Sequence, residues 1–154
     1  MFRTGLLLLM LAGGATQAAA ETALTVTHGP TPDPVYLDLG EAGESVGDQR
    51  IFRFDGIDSG GAAVRMYFVL TNAALAETAD EFDARLTTAV FSLDGGTLLV
   101  SGIGFYPPQG STLKVDATLE RAVVGGTGKF AGARGSVIST HLPDGTWAHE
   151  FHLQ

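Results

Sequence analysis

The chain has 154 residues, with 17 aspartates and glutamates against 9 lysines and arginines, and no cysteine. The net charge of −8 argues against binding to nucleic acid or to an anionic membrane surface, since both need a basic footprint. The lack of cysteine excludes disulfides, thiol chemistry and cysteine-based metal sites. The 21 glycines favour a β protein with many tight turns.

Residues 1–20 have the three parts of a secretory signal peptide. Arg3 gives a positive start, residues 6–11 form an apolar centre, and the alanines at 18–20 suit a signal peptidase. The alternative is a membrane anchor, but that needs about 20 apolar residues, and this run is shorter. We therefore predict cleavage after Ala20, no membrane anchor, and export to the periplasm or the medium.

The rest of the chain alternates between short β-rich runs and turn signals. Three prolines within residues 30–34 exclude a helix and a central strand, so this segment is predicted to be an arm or surface loop. Gly102 and Gly104 predict a bend or bulge, and residues 72–83 have room for one helical turn. The predicted strands cover residues 21–26, 35–39, 49–54, 63–71, 84–93, 97–106, 113–124, 135–142 and 147–153.

Many short strands without a long amphipathic helix are typical of an all-β sandwich or barrel. The hairpin signals at Asp94-Gly95 and at residues 143–146 make successive strands antiparallel neighbours. A meander of hairpins favours a closed up-and-down barrel, because closure leaves no free sheet edge. We predict residues 21–45 as an N-terminal arm with the first strands, and residues 46–154 as the barrel.

Residues 122–135 carry the most specific pattern of the chain, Ala-Val-Val-Gly-Gly-Thr-Gly-Lys-Phe-Ala-Gly-Ala-Arg-Gly. This run resembles the signature of plant dirigent proteins and is similar to the corresponding segment of allene oxide cyclases. Weaker similarities lie at Gly47-Asp48, at residues 96–102 and at residues 146–153. The resemblance implies an eight-stranded antiparallel β-barrel with a ligand cavity, no cofactor, and assembly as a dimer or trimer. The chain departs from plant dirigents in lacking their usual disulfide.

The signature is predicted to be structural rather than a direct ligand site. Its structural residues are Gly125, Gly126, Gly128, Phe130, Gly132 and Gly135. The first three glycines permit positive φ angles, the phenylalanine is placed to plug the barrel end, and the last two glycines permit close backbone packing. The Gly-Lys pair does not form a nucleotide-binding loop, because Val123 and Phe130 stand where that motif needs Gly and Ser or Thr.

Carboxylates in a barrel lumen suit acid–base chemistry, because burial raises the pKa of a carboxyl group. Dirigent barrels use a strand carboxylate and cavity arginines, so the resemblance implies Asp38, Asp55 and Arg134 as candidate catalytic residues. Asp48 is a further carboxylate candidate. Each aspartate lies close to a glycine, so capping of a turn is the alternative. Arg134 has the alternative of binding backbone or a neighbouring acid.

Side chains on the inner faces of the strands are candidates for binding a small hydrophobic ligand. These candidates are Tyr67, Arg85, Tyr106 and His149. For Tyr67 and Arg85, exposure to solvent is an equally good interpretation.

The histidines raise the question of a metal site. If Asp144-Gly145 is a two-residue turn, His149 lies opposite Thr140, and His141 points to the other face of the sheet. The histidines are then divided between the two faces, so no metal site is predicted. His149 is interpreted as a packed or cavity histidine.

Three functions are compatible with these patterns. The first is a barrel that binds a small hydrophobic molecule and steers, isomerises or cyclises it without a cofactor. The second is a noncatalytic exported carrier, whose cavity lacks convergent ionisable groups. The third is a structural or interaction protein with a filled lumen and an exposed apolar patch. Fold-level resemblance does not choose among them.

Overall fold

The computed structural model describes residues 22–108 and 112–154, so the predicted signal peptide at residues 1–20 lies outside the described residues. The described residues form nine strands and one 3-10 helix at Gly128–Phe130. The strands are β1 (Thr22–His28), β2 (Val35–Leu37), β3 (Gln49–Asp58), β4 (Ala63–Ala74), β5 (Asp83–Leu93), β6 (Gly96–Tyr106), β7 (Thr118–Gly126), β8 (Gly135–His141) and β9 (Trp147–Leu153). Across these two ranges, no helix has the length and hydropathy to cross a membrane.

All neighbouring strands are antiparallel, and the sheet closes on itself. The order is β1-β9-β8-β7-β6-β5-β4-β3-β2, and β1 also pairs with β3. Eight strands therefore form the barrel, while β2 extends the pairing of β3. The predicted all-β, eight-stranded antiparallel barrel is confirmed.

The strands β1 and β2 lie end to end along β3. His28 of β1 is opposite Gly56, and Val35 of β2 is opposite Ile51. The proline-rich segment at residues 29–34 lies between these two pairings as a loop, because proline has no N–H to give to a sheet. The barrel wall is thus interrupted beside the middle of β3.

Several predicted elements differ from the structure in their bounds, including β1, β2 and β4. β3 continues to Asp58, whose side chain accepts hydrogen bonds from Gly60 N (2.8 Å) and Ala62 N (2.9 Å) and so shapes the turn. β7 begins only at Thr118, because Asp116 takes a φ of 65° that breaks an extended strand. The helical turn considered within residues 72–83 is not formed.

One end of the barrel, which carries the β3–β4 and β5–β6 turns, is filled by apolar side chains. We call it the closed end. Leu93, Leu98 and Leu153 are buried there, and Leu24 and Phe130 pack against the same core. Each such side chain contributes roughly 1.5–3 kcal/mol when fully buried.

The 3-10 helix and the glycines after it place Phe130 at this end. An added Cβ at Gly135 would lie 1.9 Å from the His152 carbonyl oxygen, and the φ of Gly135 is 131°. Gly128 and Gly132 also have positive φ angles. The predicted positive φ at Gly125 and Gly126 is wrong, because both lie in extended β7. The predicted close packing at Gly132 is also wrong, because an added Cβ there would have no neighbour within 4 Å. The φ of 82° is what favours glycine at this position.

Candidate functional site

The opposite end of the barrel, which carries the β4–β5, β6–β7 and β8–β9 connections, contains a partly open cavity of about 50 Å³. We call it the open end. Five aromatic side chains line the cavity, Phe52, Phe54, Phe68, Tyr106 and Trp147. The polar side chains on its wall include His28, Arg121, Ser139 and His149. The arm between β1 and β2 contributes Thr31.

Strand alternation places these side chains in the lumen. Phe52 and Phe54 are two residues apart on β3, and both are buried, whereas Arg53 between them is exposed. The same period of two puts Trp147 and His149 on the inner face of β9. The site therefore follows from strand geometry rather than from a loop motif.

The β8–β9 register corrects the predicted position of His149. His149 lies opposite Ser139 rather than Thr140, and His141 lies opposite Trp147. The reason is the length of the connection, which spans residues 142–146 instead of two residues. His141 therefore lies on the same face of the sheet as His149.

His149 is almost completely buried and is bonded on one side of its ring. Its Nδ1 is 2.8 Å from Ser139 Oγ, and either atom is able to donate in this hydrogen bond. Burial lowers the pKa of His149 well below its usual value, and the positive charges of His28 and Arg121 lower it further. The imidazole is therefore neutral at pH 7.

His28, His141 and His149 form a stack of rings with Trp147. His141 and Trp147 are nearly parallel, with ring centroids 4.8 Å apart. His28 is 5.2 Å from His149 and 4.3 Å from Phe54, measured between centroids. Burial lowers the pKa of His28, and the hydrogen bond from its Nδ1 to the Gly29 carbonyl (2.6 Å) opposes that effect only in part.

Arg121 enters the lumen from β7 and fits into a slot in β6. Its Nη2 donates to the hydroxyl of Tyr106 at 2.9 Å. An added Cβ at Gly104 would lie 3.1 Å from Arg121 Nη2 and 2.8 Å from the Tyr106 ring, and one at Gly102 would lie 3.1 Å from Arg121 Cγ. These glycines were predicted to mark a bend or bulge, but the register shift of the β6–β7 pairing lies between Leu99 and Val100, where Val124 of β7 is the extra residue. Their role is to leave room for the arginine.

Three buried polar atoms of the cavity-lining residues have no hydrogen-bond partner among the described residues. They are Arg121 Nε, Trp147 Nε1 and His149 Nε2. The first two are obligate donors, since arginine and tryptophan side chains have no acceptor nitrogen. A buried polar group without a partner costs about 1–3 kcal/mol, and each of these nitrogens has almost no accessible surface.

A polar cluster lies beside the cavity in the same half of the lumen. Arg85 is fully buried and forms ion pairs with Asp83 (2.9 Å) and Glu44 (3.5 Å), and its guanidinium lies 4.7 Å from the Tyr106 ring centroid. Burial lowers the pKa of Arg85, and the charge of Arg50 adds to this effect. Arg85 was predicted to bind ligand, and the structure places it inside the barrel but not among the residues that line the cavity.

The three predicted catalytic residues lie outside the lumen. Asp55 faces solvent from β3 and binds Arg65 at 2.9 Å, which lowers the pKa of its carboxyl group. Asp38 is exposed and accepts from Gly43 N at 3.2 Å. Arg134 is exposed and donates to the Ala133 carbonyl at 2.7 Å. The structure does not bring these three side chains to the cavity.

Tyr67 and Asp48 also differ from their predicted placement. Tyr67 is exposed on the outer face of β4, because Met66 and Phe68 on either side of it point inward. Asp48 is buried but organises the loop before β3. It accepts from Tyr36 OH (2.5 Å), Leu39 N (2.8 Å) and other donors, which holds its pKa well below the usual range and raises the pKa of Tyr36 to about 12.

Sequence reasoning included Tyr106 and His149 but missed Arg121, Ser139, Trp147 and His28 as residues of one site. Arg121 lies between Leu119 and Val123 at the spacing of one strand face, and this spacing was the available signal. Within the ranges that the structure describes, no group of three or more His, Asp or Glu side chains is arranged to hold a metal ion.

Comparison with known proteins identifies the type of fold. No protein-family model and no curated protein matches the sequence. A solved structure titled pyocyanin demethylase is 21% identical, with 88% of this chain and 100% of that chain covered and a TM-score of 0.59. A pterocarpan synthase dirigent protein is 17% identical, with 92% and 96% covered and a TM-score of 0.56. At these identities the likeness concerns the fold, and it agrees with the signature at residues 122–135: the chain is a dirigent-like eight-stranded β-barrel.

Proposed function

We propose that this barrel is exported and binds a small hydrophobic molecule in the cavity at its open end. The observation that carries the proposal is the wall of five aromatic rings around a space that is open at one end, while the other end is filled. Concave sites lined by apolar and aromatic side chains with a few polar groups are the usual form of small-molecule sites. The two similar barrels are named for pyocyanin and a pterocarpan, which also supports a small organic ligand.

The size of the cavity limits what it admits. Its volume of about 50 Å³ is far below the ~300–1,000 Å³ of drug-sized ligand sites. We therefore expect one ring, or one end of a longer molecule, to enter between Phe54, Phe68 and Trp147. The remainder of a longer ligand would extend past Thr31 at the open end.

Titration with toluene tests this binding, because Trp147 is the sole tryptophan and lies in the cavity wall. We expect toluene to change the tryptophan fluorescence of the chain from Glu21 to Gln154 in a saturable way. Ser139→Leu fills the cavity and should abolish the change. Ser136→Leu, on the outer face of the same strand, is the matched control and should retain it. No saturable change in the unmodified chain would contradict the proposal.

A second candidate function is cofactor-free proton transfer on the bound molecule, as in an isomerase or cyclase. The observation that favours it is His149, a neutral buried imidazole with Nε2 free of partners among the described residues. Exchange of the α-protons of phenylacetone in D₂O tests it. We expect His149→Gln to lose the exchange and His152→Gln, on the outer face of β9, to retain it. Equal exchange by the unmodified protein and His149→Gln would exclude this role.

We also propose that the chain forms a homo-oligomer through the outer face of β5 and β6. Leu86 and Ile103 are cross-strand neighbours and are 53% and 44% exposed, and Phe105 next to them is 55% exposed. A contiguous apolar patch of this kind marks an interaction site. Light scattering after gel filtration should show a dimer or trimer that Ile103→Glu converts to a monomer. A monomer in the unmodified protein would contradict the assembly.

Export is tested by expressing the complete chain in a bacterial host. We expect protein that starts at Glu21 in the periplasm or the medium. Protein that retains Met1 and stays in the cytoplasm would contradict export.

A further inference from the structure

The environment of Arg121 identifies the chemical class of the ligand. We propose that the cavity binds a flat aromatic anion, whose carboxylate or phenolate oxygen pairs with the Arg121 guanidinium. This inference rests on the proposed function, since it names the ligand of the same cavity.

Arg121 is a buried cation without an anionic partner among the described residues. Arg121 is only 6% exposed, and no carboxylate of the described residues lies within ion-pair distance of its guanidinium. The other two buried arginines differ, because Arg50 pairs with Glu44, and Arg85 pairs with Asp83 and Glu44. A buried cation without a counter-ion is costly, and an anionic ligand removes that cost.

The neighbouring strand is shaped to hold the Arg121 guanidinium at the cavity. The absence of side chains at Gly102 and Gly104 leaves the slot that Arg121 occupies, and the Tyr106 hydroxyl fixes one end of the guanidinium. The Tyr106 oxygen is a neutral acceptor, so it orients the arginine without neutralising it. Arg121 Nε remains as a donor with no partner among residues 22–108 and 112–154.

The residues that line the cavity with Arg121 are mostly aromatic. Trp147 Nε1 is a second buried donor that has no hydrogen-bond partner among the described residues. The side chains of Arg121 and Trp147 line the same cavity. A guanidinium is the side chain that best matches a carboxylate or phenolate oxygen, because its hydrogen bonds to an anion are charge-assisted. Phe54 and Phe68 supply apolar surface for the ring that carries this oxygen. Apolar walls beside one buried cation favour a planar ring that carries an anionic group at one edge.

Three probes of one shape separate this inference from the proposed function. Toluene, benzamide and benzoate share a ring and differ in having no polar group, a neutral one or an anionic one. We expect benzoate to bind the mature chain at least about tenfold more tightly than benzamide, the factor given by a hydrogen bond to a charged group. Arg121→Met should remove this preference, because methionine retains the apolar part of the side chain but not its charge. Arg134→Met, at an exposed arginine, is the control and should keep the preference.

The possible results distinguish failure of the anion proposal from failure of the lumen site. If toluene binds but benzoate has no advantage over benzamide, the anion proposal is overturned while the lumen site stands. If none of the three binds, both proposals fail. If Arg121→Met does not fold, the order of benzoate and benzamide in the unmodified chain decides, together with Arg121→Lys, which keeps the charge but loses Nε. Lysine should keep only part of the benzoate preference, because it keeps the charge and loses the guanidinium fork; loss of the whole preference with charge retained would contradict pairing to the cation.

Discussion

The buried histidines make the stability of the barrel depend on pH in a defined direction. His149 has a folded-state pKa well below its ordinary value of 6.5. Below about pH 6.5 the unfolded chain therefore binds a proton at this position that the folded chain does not bind. Stability is full above this pH and is lost as the pH falls. A histidine that stays neutral in the fold contributes at most about 1.4 kcal/mol per pH unit, and about 2 kcal/mol in total between pH 7 and pH 5.

Urea denaturation followed by circular dichroism at pH 7, 6 and 5 measures this effect. The unmodified protein should become less stable over this range, since His28 also has a lowered pKa and adds to the loss. His149→Gln does not titrate at this position and should lose up to about 2 kcal/mol less. His152→Gln should behave as the unmodified protein, because it retains His149. Equal pH dependence in the unmodified protein and His149→Gln would refute the reasoning.

Three further predictions concern the closed end and the outer face. Phe130→Ala should lower the free energy of unfolding by about 2 kcal/mol, since this half-buried ring packs on the core. Toluene binding should be unchanged in this variant. An unchanged thermal midpoint would contradict the role of Phe130 in filling the closed end. Gly135→Ala should cost about 3 kcal/mol or more, because its Cβ meets the His152 carbonyl, whereas Gly132→Ala should cost only about 1 kcal/mol for its positive φ; equal losses in thermal denaturation would contradict the packing argument. Asp38→Asn and Asp55→Asn should leave toluene and benzoate titrations unchanged, because both carboxylates face solvent, and a loss of binding in either would place that residue in the site.

The fold was predictable because its signals are local and consistent. Alternation, turn residues and hairpin signals each indicated antiparallel strands, and the signature at residues 122–135 indicated the barrel type. The errors occurred where one residue decides the geometry. Asp116 interrupts an apolar run with a left-handed backbone, and Pro143 lies in a connection of five residues where a two-residue turn was assumed.

The site was harder to predict than the fold. The strand period shows which residues share a face, but it does not show which face is inside. Tyr67 and Phe68 illustrate this, since both are aromatic neighbours and only the second packs on the core. Arg121 is harder still, because a charged residue on an inner face contradicts the apolar pattern, and the glycines that accommodate it lie on another strand.

The indole N–H of Trp147 gives the most direct test of lumen binding. As the sole tryptophan, it should give one indole signal in a nitrogen–proton correlation spectrum of the mature chain. We predict that this signal moves in a saturable way when toluene is added, and that Ser139→Leu prevents the movement. A signal that keeps its position at the highest toluene concentration, in a protein that stays folded, would contradict a ligand site at the open end of the barrel.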